Sequence, residues 1–151
     1  MDLKTPLSTV LARKAAGNVT HSIAPTITVA AAVDILNQAK VGSVLVMDKG
    51  RLVGIFTERD VLRRVVGGRR DPGTTLVAEV MTRELVVMKP AASVQDAMRV
   101  VSERRIRHIP IVEEGKVLGV ISQGDLNHWL VRNQEAEVAQ LVDFVTGKYP
   151  A

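Results

Sequence analysis

The sequence lacks cysteine altogether and is poor in aromatic residues, which make up 3% of its 151 positions. Without thiols, the chain has no disulfides, no thiol catalysis and no zinc–thiolate site, and a reducing compartment is compatible with this composition. The aromatic residues are Phe56, Trp129, Phe144 and Tyr149. They are too far apart in the sequence to predict a stacking platform for single-stranded nucleic acid.

Charge is also missing from one stretch, because residues 15–33 contain no Asp, Glu, Lys or Arg. Polar residues such as His21, together with Pro25, make this stretch unsuitable for spanning a membrane. At the N-terminus, Lys4 and Arg13 flank only a short apolar segment, which makes a poor signal peptide. The sequence therefore predicts a cytoplasmic protein with no membrane partner.

What the chain does have is the composition of a globular protein, with 46% hydrophobic and 24% charged residues. A net charge of +4 and a pI of about 9.8 favour anionic partners. Nine of the thirteen arginines form two groups, which are Arg59, Arg63, Arg64, Arg69 and Arg70, and then Arg99, Arg104, Arg105 and Arg107. Each group could be a solvated helix face or a lining for phosphate groups. Nucleic acid is the less favoured partner, because aromatic residues are so few.

The chain contains an internal repeat with an offset of 65 residues. GIFTERD, which begins at Gly54, aligns with GVISQGD, which begins at Gly119. Identical pairs in the same register are Pro25/Pro90, Val29/Val94, Ala32/Ala97, Gly50/Gly115, Gly54/Gly119 and Asp60/Asp125. Most other pairs exchange one apolar residue for another, so we infer a duplicated structural unit.

Each copy predicts the same order of elements, a short strand followed by a helix, two strands and a second helix. Thr28 and Ser93 are suited to N-cap the first helix of each copy, and these helices should end near Lys40 and Arg105. The two strands are joined by DKG or EEG, whose glycine can adopt the positive φ of a hairpin turn. The second helix is expected to begin at Thr57 or Ser122.

The loop-like stretch 67–75 separates the copies, which occupy residues 8–70 and 74–132. A unit of this size buries little surface alone, so the two copies should pack against each other. Residues 133–151 form a C-terminal helix and tail, with the helix ending at Gly147. Its apolar positions, which need a surface on this chain or on a second one, are Val138, Leu141, Val142 and Val145.

The repeated motif that begins each second helix has two possible roles. Thr57 and Asp60, like Ser122 and Asp125, have the spacing of a capping box, in which hydroxyl and carboxylate satisfy free backbone N–H groups. Alternatively, the carboxylate could accept hydrogen bonds from both hydroxyls of a ribose. The helix N-terminus would then present N–H groups and its positive dipole to a phosphate. The motif by itself leaves both roles open.

The doubled motif G-h-x-(T/S)-x-x-D (h apolar), the strand RHIPIV and the helix starts TVAAAV and SVQDAM resemble a tandem pair of cystathionine-β-synthase (CBS) domains, often called a Bateman module. The resemblance covers residues 8–132. It implies an α+β fold of two CBS subdomains, each in β-α-β-β-α order, packed as a pseudo-two-fold pair. It also implies a stand-alone protein of the prokaryotic type. It also implies adenosine-containing ligands between the copies: AMP, ADP or ATP, or else S-adenosylmethionine or NAD, with magnesium arriving only with the nucleotide.

The resemblance implies roles for particular residues. Asp60 and Asp125 would bind ribose hydroxyls, and Thr57 and Ser122 would approach phosphate. Contacts to the base, largely through the backbone, would fall at His21, Ile23, Val41, Gly42, Val86, Met88 and Ile106.

Two further residues, Arg107 and His108, lie where the family often has basic phosphate contacts. Their counterparts in the first copy are Gly42 and Ser43, so the resemblance predicts that the Asp125 site prefers more phosphate than the Asp60 site. Arg107 has a forked guanidinium suited to phosphate oxygens.

Nothing in the sequence predicts catalysis or a bound metal. It has no nucleophile elbow, Walker motif or dinucleotide-binding glycine loop, and His21, His108 and His128 are not spaced as metal ligands. The leading hypothesis is therefore a nucleotide sensor that forms a homodimer, as the resemblance implies, and signals to an unknown protein target. The alternatives are a nucleic-acid-binding protein that uses its arginine groups and a ligand-free interaction scaffold.

Overall fold

The structure is a computed structural model that describes residues 3–14 and 21–146. Its strands are β1 (Ser22–Ile23), β2 (Ser43–Asp48), β3 (Arg51–Thr57), β4 (His108–Glu113) and β5 (Lys116–Ser122). Its helices are α1 (Leu7–Ala12), α2 (Val29–Ala39), α3 (Glu58–Asp60), α4 (Val77–Val80), α5 (Val94–Arg104) and α6 (Gln123–Val145), with a π-helical segment, Val61–Val66, after α3. This mixture of helices with two small sheets confirms the predicted α+β class.

The chain folds into two compact units that do not follow the order of the sequence. The described residues of the first-repeat unit are 21–86, and those of the second-repeat unit are 87–146 together with 3–14. The sequence instead predicts two continuous domains, residues 8–70 and residues 74–132. Helix α1 thus belongs to the unit built on the second repeat, and α4 belongs to the unit built on the first.

In the first-repeat unit, β2 lies between a parallel neighbour, β1, and an antiparallel neighbour, β3. Lys49 and Gly50 at the hairpin turn both have positive φ, at 51° and 78°. That pair of conformations is typical of a type I′ turn, whose twist matches that of the strands. Side chains from α2 and all three strands, including Val29, Val46 and Phe56, form the buried core.

The second-repeat unit reproduces this hairpin with β4 and β5. Glu114 and Gly115 have φ values of 48° and 76°, as the equivalent turn residues do in the first hairpin. The strand register also shifts at the same place, between Val46 and Met47 in one hairpin and between Ile111 and Val112 in the other. The structure therefore confirms the repeat down to a single irregularity in strand pairing.

The parallel strand β1 has only a partial counterpart. Ile23 pairs with Val46, and 65 residues later Met88 forms an isolated parallel bridge with Ile111. In the first-repeat unit, the N–H of Leu45 donates to the carbonyl of His21 at 3.0 Å. The residue equivalent to Leu45 is Pro110, which has no N–H to donate. The second sheet of the described residues therefore has two strands instead of three.

The predicted N-caps are confirmed, since Thr28 accepts a hydrogen bond from the N–H of Ala31, and Ser93 accepts one from Asp96. The first helices end at Lys40 and Arg105, which adopt the left-handed conformation of a helix C-cap. At the C-terminus, the sequence predicts two separate helices, but the structure has a single one. Helix α6 runs continuously over Gln123–Val145 because no glycine or proline interrupts it after its first turn. The predicted helix end at Gly147 lies outside the described residues.

A second, shorter repeat precedes each copy at an offset of 70 residues. TPLSTVL begins at Thr5 and TLVAEVM at Thr75. The carbonyl of Thr5 accepts a hydrogen bond from Val94, and that of Thr75 accepts one from Val29. Corresponding bonds join Leu7 N–H to Ala92 O, Val77 N–H to Ile27 O, Ser8 N–H to Pro90 O and Ala78 N–H to Pro25 O. This repeat places α1 on the second copy and α4 on the first.

Candidate functional site

The repeated motif forms a reciprocal capping box in both units. The N–H of Thr57 donates to Asp60 Oδ2 at 3.0 Å, and the N–H of Asp60 donates to Thr57 Oγ1 at 3.2 Å. The N–H of Ser122 donates to Asp125 Oδ2 at 2.8 Å, and the N–H of Asp125 donates to Ser122 Oγ at 3.0 Å. The capping interpretation is thus confirmed for both copies, and each helix start has two of its free donors satisfied.

The strand entrances predicted to contact the base lie next to these capping boxes. The carbonyl of Gly42 accepts a hydrogen bond from the N–H of Glu58 at 3.0 Å, and the carbonyl of Arg107 accepts one from Gln123 at 2.8 Å. A Cβ atom at Gly42 would lie 2.7 Å from the carboxylate of Glu58. Each unit therefore brings its strand entrance and its motif together.

The remaining predicted site residues are distributed over both units. In the second-repeat unit, His108 is half-buried and pairs with Ser122 across the hairpin, Arg107 is exposed, and Ile106 is half-buried. Met88 packs against the core of the same unit. The first-repeat unit contains His21, Ile23, Val41 and Val86. The side chain of Ile23 is buried in the core, so this residue can offer a ligand only its backbone.

The carboxylate of Asp60 is fully engaged within its own unit. Asp60 is 5% exposed, and its Oδ1 accepts a hydrogen bond from the hydroxyl of Thr82 at 2.9 Å. The backbone of Thr82 also exchanges two hydrogen bonds with Ile55 in β3. Arg64 Nε lies 3.8 Å from the same oxygen. A ligand hydroxyl would therefore compete with Thr82 for Asp60.

The carboxylate of Asp125 has different partners and is more accessible. Its side chain is 24% exposed, and Oδ2 lies 2.9 Å from Nζ of Lys14. The same ammonium group donates to the carbonyl of Val120 at 2.6 Å. Val120 is the counterpart of Ile55, so Lys14 contacts the two residues of the second-repeat unit that correspond to the partners of Thr82 in the first. An ammonium ion replaces a neutral hydroxyl.

These partners keep Asp125 ionised. Partial burial acts to raise the pKa of Asp125, but hydrogen bonds from Ser122 and Lys14, together with the charge of Lys14, outweigh burial and hold the pKa below its ordinary value of 3.8. At neutral pH the side chain is therefore a carboxylate that can only accept hydrogen bonds.

A cavity of about 520 Å³ lies beside Asp125, between α6 and the end of α1. The cavity is lined by Val10, Arg13, Lys14, Asp125, His128, Trp129, Arg132, Asn133 and Ala136. Sequence reasoning missed it because it assigned residues 8–14 to the first copy. The signal that could have revealed it is the repeat at an offset of 70, which associates the N-terminal segment with the second copy.

Metal ligation has no support in the part of the chain that the structure describes. Residues 3–14 and 21–146 contain no group of three or more His, Cys, Asp or Glu side chains that could hold an ion. Among the same residues, no helix has both the length and the apolar content that crossing a membrane requires.

The repeats match a family model described as "CBS domain" at residues 18–67 and 77–132. The chain therefore belongs to the CBS-domain family and contains a pair of these domains, which generally serve as regulatory or signal-transduction modules. The predicted resemblance is confirmed.

Several proteins of this family are similar to the chain. The mitochondrial CBS domain-containing protein CBSX3 of Arabidopsis thaliana is 35% identical in an alignment of 127 residues that covers 81% of this chain and 62% of that protein. YhcV of Bacillus subtilis is 35% identical over 115 residues, which are 76% of this chain and 81% of YhcV. A CBS-domain protein of Burkholderia ambifaria MC40-6, described as a candidate signal-transduction protein, superimposes with a TM-score of 0.82 at 32% identity, covering 86% of this chain and 96% of its own.

Proposed function

We propose that the chain is a non-catalytic sensor that binds an adenine nucleotide, AMP, ADP or ATP, through the carboxylates of its two capping motifs. Asp125 carries the proposal, because it is ionised, partly exposed and adjacent to a cavity. An ionised carboxylate forms charge-assisted hydrogen bonds with a pair of ribose hydroxyls. Nucleotides, S-adenosylmethionine and NAD share this ribose feature, and the cationic residues near Asp125 favour the ligands with the greatest negative charge.

The two motifs are expected to differ in affinity. Asp60 is buried and already accepts a hydrogen bond from Thr82, so a ligand must displace a contact within the unit to reach it. Asp125 is more exposed, and the basic residues Arg107 and His108 lie beside its capping box. We therefore propose that nucleotide binds first, and more tightly, at Asp125.

Isothermal titration calorimetry with AMP, ADP, ATP, adenosine, S-adenosylmethionine and NAD tests this function. Asp125→Asn should abolish the tighter binding event, and Asp60→Asn should leave that event in place. The matched control is Asp96→Asn, because Asp96 forms a third capping box with Ser93 and has no proposed ligand role. All three variants lose a cap carboxylate, so a binding defect confined to Asp125→Asn is not explained by the loss of a helix cap alone.

Two results would favour the other interpretations. If none of these compounds binds and the Asp variants lose only stability, the capping boxes are structural and the chain is a scaffold. If nucleic acid binds with an affinity that falls steeply with salt and does not change in Asp125→Asn, the arginine groups are the functional surface.

We also propose that the signal is transmitted through self-assembly, with a second copy of this chain packed on α6. This helix exposes Val131, Val138, Leu141 and Val145, which are 52%, 57%, 65% and 82% accessible. Their spacing follows a heptad pattern, in which two helices bury a shared apolar seam. Self-assembly also occurs in the family, since a CBS-CP12 protein that is 27% identical with a TM-score of 0.70 is described as hexameric.

A further inference from the structure

The cavity beside Asp125 has a composition that the family motif does not account for. Arg13 and Lys14 approach it from the end of α1, and Asp125, His128 and Arg132 approach it from α6. The α6 residues are spaced by three and four positions, so they lie on one face of the helix. The cavity is thus a continuous groove along about two turns of α6, with the motif carboxylate at one end.

The groove carries an excess of positive charge. Its lining includes two arginines and one lysine but only one acidic residue, Asp125. Lys14 is committed to Asp125 and to the carbonyl of Val120. Arg132 has no ion-pair partner among the described residues, and Arg13 is instead held over the ring of Trp129, 5.2 Å from its centroid. Two guanidinium groups therefore line the groove without an ion pair to any carboxylate in residues 3–14 and 21–146.

Trp129 lines the groove, but it offers no accessible hydrogen-bond donor. The indole N–H of Trp129 is inaccessible to solvent and makes no hydrogen bond with any described residue. Because solvent cannot reach this N–H, a ligand oxygen in the groove cannot reach it either. The donors available in the groove are therefore the guanidinium groups of Arg13 and Arg132, whose forked geometry suits phosphate oxygens.

We propose that this groove holds the phosphate chain of a nucleotide whose ribose is bound by Asp125, with the guanidinium groups of Arg13 and Arg132 as donors. The inference rests on the proposed function and assigns the phosphates to residues outside the family motif. Asp125 and Arg132 are seven residues apart, about 11 Å along the helix axis, so the groove has room for more than one phosphate. Its volume of about 520 Å³ is in the range of small-molecule sites.

The site accordingly prefers triphosphate over monophosphate, and the preference depends on Arg132. Calorimetry with adenosine, AMP, ADP, ATP and inorganic triphosphate would measure this. In the unchanged chain, affinity should rise from adenosine to ATP. In Arg132→Gln, the ratio of ATP to adenosine affinity should fall about tenfold, the loss expected for one charge-assisted contact, while adenosine affinity stays the same.

Arg13→Gln is a second variant in which the ratio of ATP to adenosine affinity should fall. Arg99→Gln is the matched control, because Arg99 is an exposed arginine of the same unit on α5, away from the groove. It changes the net charge by the same amount and should leave the ATP to adenosine ratio unaltered.

The outcomes separate this inference from the function on which it rests. If adenosine and ATP bind through Asp125 but the phosphate preference is lost in Arg107→Gln and kept in Arg132→Gln, the phosphates lie at the β4 entrance and the groove assignment is wrong. If adenosine does not bind while inorganic triphosphate binds in an Arg132-dependent way, the groove is a phosphate site and the nucleotide function is wrong. If neither compound binds, both proposals fail.

Discussion

Asp60 and Asp125 occupy the same position in the same motif, yet the side chains that reach them differ in charge. Thr82 donates a neutral hydroxyl to Asp60, whereas Lys14 brings an ammonium ion to Asp125. A hydrogen bond between two charged groups is stronger than one with a neutral partner, and it depends on pH through the carboxylate. The two motifs therefore contribute to stability in different ways.

The stability contributed by Asp125 should be lost in acid. Because the pKa of Asp125 in the folded chain is below 3.8, the folded state binds fewer protons than the unfolded state around that pH. The contribution is fully present above the unfolded pKa and disappears as the pH falls through the folded pKa. Urea unfolding of the unchanged chain and of Asp125→Asn, from neutral pH into the acid range, should show a difference in unfolding free energy that shrinks below pH 3.8. A difference that persists undiminished in acid would contradict the charge assignment.

Removing the hydroxyl of Thr82 should destabilise the first-repeat unit. Thr82→Val keeps the shape of the side chain but leaves Oδ1 of the buried Asp60 without its closest donor. The expected loss is on the order of 2 kcal/mol, because a hydrogen bond to a charged group is broken. Chemical denaturation measures it. Thr74→Val is the control, since Thr74 is exposed, and an equal loss in both variants would show that the bond to Asp60 is unimportant.

The elements that sequence reasoning located correctly are those determined by neighbouring residues. The two hairpin turns follow from Gly50 and Gly115, and the helix starts follow from Thr28 and Ser93. The errors concern contacts between distant segments. The loss of a third strand in the second sheet depends on Pro110 facing a parallel neighbour, and no local pattern shows which strand that neighbour is. The capping boxes were predictable, but the partner of each carboxylate was not.

Two glycine substitutions should change stability in opposite directions. Gly50 has a φ of 78° and nothing within 4 Å of a Cβ atom, so Gly50→Ala meets no clash and its cost comes from the backbone alone, about 1 kcal/mol. Gly124 lies in the first turn of α6, where a Cβ atom would be 3.5 Å from the Ser122 hydroxyl, an ordinary contact. Gly124→Ala should therefore raise the unfolding free energy by some tenths of a kcal/mol, up to about 1 kcal/mol. Thermal melts of both variants compare them directly, and a loss of stability in Gly124→Ala would contradict the helix start.

At the scale of the whole molecule, the order of the chain and the composition of the units diverge. Each copy of the repeat is completed by a short helix that precedes the other copy, α1 for the second and α4 for the first. Loop closure over a few tens of residues costs little more than closure over a few, so such an exchange is energetically accessible. This arrangement is what brings Lys14 to Asp125 and creates the groove.

The exposed stripe on α6 should determine the oligomeric state. Leu141→Glu places a carboxylate in the proposed seam. Assembly would bury this charge without a partner, so the variant should not self-associate. Light scattering after size exclusion should give about twice the chain mass of 16.4 kDa for the unchanged protein and the single-chain mass for this variant. Leu118→Glu is the control, because Leu118 is 49% exposed on β5 and is outside the stripe.

The same variant tests whether assembly and ligand binding can be separated. The stripe and the groove lie on opposite sides of α6, since a helix turns by about 100° for each residue. Leu141→Glu should therefore retain ATP binding at the groove while losing self-association. If ligand and assembly are coupled, ATP binds one assembly state better than the other, and the dimer dissociation constant of the unchanged chain changes when ATP is added. A dissociation constant that is the same at zero and saturating ATP would show that the sensor does not signal by assembly.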